Sequence, residues 1–152
     1  MQHSFRIATI DDHCDIVTML NELVIELKVT EQFPHLAKRI NEDIKLALQS
    51  ANVCIFLLII DNKPVGLARV DILSNDPIFR LREDSRCGYV DQMYVRPNFR
   101  NCGYGHLLLK KCEAWINEKG ISHILLHAAP LALKFYEREG YSNNRELLKK
   151  IK

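Results

Sequence analysis

A mixed α/β fold with the element order β-α-α-β-β-β-α-β-α-β is predicted by three features of this sequence. Two early stretches, Ile16 to Leu27 and Leu36 to Leu48, carry apolar residues at helical intervals. The apolar run Val53 to Ile60 is rich in β-branched residues and too short for a typical core helix. Further on, a strand ending at Val95 gives way to a glycine-bearing loop and then directly to another helical pattern.

Taken in order, Phe5 to Thr9 reads as a short strand. Asp11 or Asp12 is placed to cap a helix whose apolar positions Ile16, Leu20, Leu23, Val24 and Leu27 share one face. Phe33-Pro34 breaks the chain, and Leu36, Ile40, Ile44 and Leu48 then recur every fourth residue as a second amphipathic helix. Val53 to Ile60 is a strand covered on both faces. Asp61-Asn62-Lys63 supplies a turn, and Val65 to Leu73 returns as the hairpin partner. Ser74 to Arg86 is a long polar segment, either a binding loop or plain surface. Gly88 to Val95 is the next strand, stopped by Arg96-Pro97. A helix from about His106 to Lys119 buries Leu108, Cys112, Trp115 and Ile116, and Gly120 stands where a left-handed terminator belongs. Ser122 to His127 is a strand. Pro130 opens a last helix at its favoured first position, Gly140 ends it, and Tyr141 to Lys152 leaves room for one strand.

The 152 residues are 47% apolar and 26% charged, which excludes intrinsic disorder, and no repeat or linker divides them. One domain over residues 1–152 is therefore expected. Lys and Arg number 21 against 19 Asp and Glu, a net charge of +2 with no block of one sign. That balance argues against a nucleic-acid partner held by bulk electrostatics. The five cysteines, Cys14, Cys54, Cys87, Cys102 and Cys112, contain no C-x-x-C pair and fit neither a disulfide framework nor a zinc site. His106, His123 and His127 lack the clustered spacing of metal ligands, so no metal is expected. The longest apolar run falls far short of the roughly 20 residues of a membrane helix. Met1 to Arg6 lacks a signal-peptide stretch. A cytoplasmic protein without a membrane partner is the expectation.

The segment Val95-Arg96-Pro97-Asn98-Phe99-Arg100-Asn101-Cys102-Gly103-Tyr104-Gly105-His106 is the most informative. Glycine allows positive φ and close approach of a ligand. The first N–H groups of a helix have no internal partner and lie at the positive end of its dipole, so a diphosphate fits there. Arg100 adds a positive charge and a fork of donors. The spacing is not that of a P-loop, because His106-Leu107 replaces Lys-Ser/Thr. Nor is it a dinucleotide fingerprint, because Leu108 stands where a third small residue is required.

Tyr94-Val95-x-Pro97-x-x-Arg100-x-x-Gly103-x-Gly105 resembles the acetyl-coenzyme A motif of the GCN5-related N-acetyltransferase (GNAT) family. Ala132-x-x-Phe135-Tyr136-Glu137-x-x-Gly140-Tyr141 is similar to that family's second block. The opening Arg6-x-Ala8-Thr9-x-x-Asp12 and the strand around Pro64-Val65-Gly66 resemble it too. Ala129 departs from the pattern, since many relatives carry there an asparagine that reaches the pantetheine arm.

The resemblance implies the GNAT fold, a mixed and mostly antiparallel sheet flanked by helices. It also implies acetyl transfer from acetyl-CoA to a primary amine by direct attack in a ternary complex. Residues 100–106 (Arg100, Asn101, Cys102, Gly103, Tyr104, Gly105 and His106) would hold the diphosphate. Met93, Tyr94 and Val95 would bond the pantetheine arm as a pseudo-strand on an edge opened by splaying from the Ser122–His127 strand. Asp91 stands where some relatives place a general base, and Tyr136 where the family places the acid that protonates the departing thiolate. A coenzyme A-binding module without turnover is the alternative. The motifs do not name the acceptor amine. The family often forms homodimers, and no sequence feature here demonstrates one.

Overall fold

The Val53–Ile60 run forms strand β2, the second of five in the computed structural model, which describes residues 2–74 and 84–143. The sheet runs in sequential order: β1 (His3–Ile7), β2, β3 (Lys63–Leu73), β4 (Cys87–Val95) and β5 (Ile124–Leu126). The first four are antiparallel to their neighbours, and β4 pairs with β5 in parallel. The β2–β3 hairpin closes at Ile60↔Lys63 through Asp61 (φ 48°) and Asn62 (φ 62°). Two positive-φ residues match the twist of the flanking strands, and Asp and Asn tolerate that region well.

Helices cover both faces. Ile16, Met19 and Leu20 of α1 (His13–Glu26) join Ile40 and Ile44 of α2 (Leu36–Ala47) against Ile55, Leu57, Leu67 and Tyr94. On the other face Leu108, Leu109, Cys112 and Ile116 of α3 (Tyr104–Glu118) pack on Cys54, Phe56, Leu58, Val70 and Val90. Successive residues of β2 thus enter opposite cores, so the run is apolar at both parities. Phe135 and Tyr136 of α4 (Leu133–Arg138) lie on the edge of the α3 core.

Several boundaries differ from the sequence expectation. A 3-10 turn, Ile10–Asp12, precedes α1, and Asp12 makes no side-chain cap to that helix. Its carboxylate instead accepts the Thr9 N–H at 2.8 Å and both Nη groups of Arg6 at 2.7 Å, tying β1 to the turn. The third helix begins at Tyr104 rather than His106, because Gly103, at φ 80°, is already its N-cap. Pro130 opens a 3-10 turn, Pro130–Ala132, from which α4 continues. Residues 75–83 of the polar segment and 144–152 of the proposed last strand lie outside the described residues. Among the described residues no helix is long and apolar enough to cross a membrane.

Two features of β4 create the site. Its pairing with β5 is confined to Gly88↔Ile124, Tyr89↔Leu125 and Val90↔Leu126, so the strands part beyond Val90. Pairing with β3 jumps from Arg69↔Gln92 to Val70↔Val90, which leaves Asp91 as the extra residue of a β-bulge. Gly88 lets α3 sit close at the paired end. A Cβ there would overlap Ile116 Cδ1 and stand 2.6 Å from its Cγ1.

Candidate active site

Where β4 ends, the chain makes the 3-10 turn Pro97–Phe99 and reverses through Asn101 (φ 62°) and Gly103 (φ 80°) into α3. The consequence is a helix N-terminus whose leading N–H groups face outward. Beside it opens a cavity of about 450 Å³ lined by Val95, Arg100, Asn101, Gly103, Tyr104, Gly105 and His106. All seven are residues that the sequence associates with the cofactor. The opposite wall is Phe135, Arg138 and Glu139, with Phe99 also contributing. Met93, Tyr94 and Cys102 are not part of the lining.

Two glycines of the loop serve different needs. A side chain at Gly103 would meet nothing within 4 Å, yet its φ of 80° strains any L-residue. Gly105 is not at positive φ, and a Cβ there would touch Phe135 at 3.6 Å and the Met93 methyl at 3.7 Å, both ordinary contacts.

The Arg100 fork is engaged within the protein. Nη1 and Nη2 each donate to Glu26 at 2.7 Å, and Nε donates to the Val95 carbonyl at 2.7 Å. Its guanidinium also stacks 5.5 Å from the Tyr94 ring centroid. The pairing holds the Glu26 carboxyl below its ordinary pKa. Arg96 is fastened in a similar way, donating to both oxygens of Glu22 at 3.0 and 2.9 Å. The arginines flanking the loop therefore bind it to α1. Tyr94 belongs to the same brace: its side chain is buried on the α1 face, its hydroxyl donates to Glu22 at 3.3 Å, and only its backbone faces along the sheet edge.

On the α3 side, the Tyr136 hydroxyl reaches Met93 Sδ at 3.8 Å, a weak bond that directs it at β4. Its ring packs edge-on to Phe135 and Tyr141. Burial, with a smaller contribution from Cys112, raises the Tyr136 pKa and keeps the phenol protonated. Residues of α3 and α4 are tied together by His106 Nδ1 to Glu139 Oε2 at 2.7 Å, with Lys110 3.9 Å from the same oxygen.

Asp91 lies on the other face. Arg69, only 6% exposed, donates two 2.7 Å bonds to Asp71 and one short bond to Asp43 of α2, and its Nε is 3.5 Å from Asp91. Three carboxylates share one guanidinium, and Asp91 has the loosest contact. Its side chain remains 34% exposed. Partial burial raises its pKa, Arg69 opposes that, and Asp71 and Asp43 add to it. Asp91 of β4 thus lies on the Arg69 face of the sheet, while Tyr136 reaches the same strand from the α3 face, close to where β5 leaves. Nearby, the Tyr89 hydroxyl and His127 Nδ1 are 2.6 Å apart across the last paired residues. Next to Asp91 in the bulge, Gln92 Oε1 is buried with no hydrogen-bond partner among the described residues.

Sequence reasoning missed Arg69, whose signal is a lone cation inside an apolar strand. It also missed Arg138 and Glu139, which share the face of Phe135 at spacings of three and four. Among the described residues no cluster of His, Cys, Asp or Glu could hold a metal.

The sequence pattern described as "Acetyltransferase (GNAT) family" matches residues 17–141. A Bacillus subtilis (strain 168) protein carrying an acetyltransferase name is 31% identical over 85 residues, covering 56% of this chain and 50% of that protein. The match thus spans about half the length of that relative. Among solved structures, a predicted acetyltransferase of Clostridium acetobutylicum with acetyl-CoA superposes with a TM-score of 0.88 at 19% identity, over 99% of this chain and 96% of that one. A GCN5-related N-acetyltransferase of Ralstonia eutropha JMP134 does so with a TM-score of 0.86 at 22% identity, over 99% of both.

Proposed function

Because the chain belongs to the acetyltransferase (GNAT) family, we propose that it transfers the acetyl group of acetyl-CoA to a primary amine by direct attack in a ternary complex. The observation that carries this reading is the cavity between the α3 N-terminus and α4, placed beside the stretch of β4 that β5 leaves unpaired. The solved acetyl-CoA complex of the Clostridium acetobutylicum protein supports the choice of donor.

The diphosphate rests on the backbone N–H groups of residues 101–106, where several amides and the helix dipole act together. The pantetheine arm runs from there along Val95, Tyr94 and Met93, bonding the free strand edge as an added strand would. β4 N–H groups beyond Val90 then face the thioester carbonyl and stabilise the oxyanion that forms on attack.

An amine attacks only in its neutral form, and an alkyl ammonium has a pKa near 10.4. Asp91 takes the proton, directly or through one water, since a carboxylate with a raised pKa is a stronger base than an ordinary aspartate. Collapse of the tetrahedral intermediate breaks the C–S bond, and Tyr136, on the opposite face of β4, donates its proton to the departing thiolate. A cytoplasmic location accords with acetyl-CoA as donor.

The experiment is a panel of polyamines, aminoglycosides, amino-acid derivatives and peptides offered with acetyl-CoA. Products are read by mass spectrometry and free thiol by colorimetry. Amine-dependent thiol release with a mass gain of one acetyl group is expected. Tight coenzyme A binding with no release on any amine would leave a binding module instead.

A further inference from the structure

Three of the residues lining the cavity beside α3 have side chains able to carry positive charge, and two of these side chains are engaged inside the protein. Arg100 is held by Glu26 and the Val95 carbonyl, and His106 by Glu139. Arg138 is the third. It is exposed at the end of α4, and among the described residues it has no hydrogen-bond or ion-pair partner. A cavity suited to a polyanion therefore keeps one guanidinium in reserve, on the wall facing the glycine loop.

We propose that Arg138, rather than Arg100, supplies the side-chain charge that binds a phosphate of the coenzyme A donor. The inference rests on the acetyl-CoA reading above and names a binding residue that the loop motif does not contain. Its physical basis is a division of labour. Backbone amides of residues 101–106 present N–H groups from one side only, and a phosphate has oxygens on every side. A planar guanidinium on the opposing wall can take two of the remaining oxygens with charge-assisted bonds. Glu139, next to Arg138 on the same wall, would repel a phosphate. Its carboxylate is instead matched by His106 at 2.7 Å and Lys110 at 3.9 Å, which leaves Arg138 to act on the ligand. Arg100 cannot do the same without giving up three bonds of 2.7 Å.

Two kinds of phosphate are within the chemistry of the donor: the diphosphate bridge and the 3′-phosphate on the ribose. Calorimetric binding of coenzyme A, 3′-dephospho-coenzyme A and acetyl-pantetheine to the wild-type chain, Arg138→Gln, Arg138→Lys and Arg100→Gln separates them. Loss of one charge-assisted contact weakens binding about tenfold or more. R138Q is expected to lose that factor for coenzyme A, and R138K to recover part of it. If the 3′-phosphate is the partner, R138Q and wild type bind the dephospho form equally; if the diphosphate is, the tenfold gap persists. Acetyl-pantetheine, which has neither group, should bind both proteins alike. Coenzyme A affinity in R138Q within twofold of wild type overturns the assignment. So does an equal loss for acetyl-pantetheine, which would mark Arg138 as packing only. A larger loss in R100Q than in R138Q returns the role to Arg100. Absence of coenzyme A binding by the wild-type chain would instead remove the acetyl-CoA reading itself.

Discussion

Glu26, the last residue of α1, accepts both Nη groups of Arg100 at 2.7 Å, so the arginine of the glycine loop is fastened to a helix on the α1–α2 face of the sheet. The loop is thereby held at its open end before any ligand arrives, and a preorganised anion site needs less ordering on binding.

This brace gives the first prediction. The pair is 36% and 43% exposed, so breaking it lowers stability by only about 0.5–1 kcal/mol. Glu26→Gln should lower Tm slightly and Arg100→Gln somewhat more, because it also loses the bond to the Val95 carbonyl, while the double variant should lose no more than the larger single loss. Additive losses in thermal denaturation would show that the two side chains act independently.

The two loop glycines should behave oppositely. Gly103→Ala is forced into a φ of 80° and is expected to lose about 1–2 kcal/mol despite the empty space around it. Gly105→Ala gains helix propensity and makes contacts at 3.6 and 3.7 Å, so its Tm should match or exceed wild type. Equal Tm values for the two variants would contradict the conformational argument.

For Asp91 the sign follows from a raised pKa. In its proposed role the ionised form is the base, so kcat/KM should fall as pH drops through a value above the ordinary 3.8. Asp91→Asn should remove that limb and lower kcat/KM near neutrality about 10²-fold. A variant profile superimposable on wild type across pH retires Asp91 as the base.

Tyr136→Phe keeps the ring contacts with Phe135 and Tyr141 and removes the hydroxyl that carries the proton. Turnover should fall about 10²-fold while coenzyme A affinity stays within twofold. Because burial raises the phenol pKa, no basic limb from this residue is expected below about pH 10. Full turnover in the variant would assign thiolate protonation elsewhere.

Asp12 predicts acid sensitivity away from the site. Bonds from Arg6 hold its pKa below 3.8, burial opposes them, and the Thr9 N–H adds to the lowering. A lowered native pKa stabilises the fold above the unfolded value, and that contribution disappears as pH falls through the native one. Asp12→Asn should therefore cost about 1–2 kcal/mol at pH 7, with its Tm gap to wild type narrowing below about pH 4. A gap constant from pH 7 to pH 3 would refute the linkage.

Much of this molecule was readable before folding was considered. Helical spacing of Ile16, Leu20, Ile40 and Ile44, and the unbroken run from Val53 to Ile60, follow from burial of side chains at fixed backbone periods, and each formed the element it implied. The strand–glycine loop–helix motif also declared itself, because positive φ and exposed amide groups are local properties of Gly103 and its neighbours.

What the chain could not reveal one residue at a time is where its charges finish. Arg100 and Arg138 are both arginines beside the glycine loop, and only the packing of α1 and α4 engages the first with Glu26 and leaves the second, among the described residues, unpaired. The same holds for Asp91: its carboxyl is ordinary in sequence, and its raised pKa comes from partial burial, reinforced by the neighbouring carboxylates of Asp71 and Asp43 and opposed by Arg69. Periodicity is a short-range consequence of backbone geometry and so is written along the chain. Electrostatic pairing depends on distances between segments that meet only after folding, and it was decided by the tertiary structure.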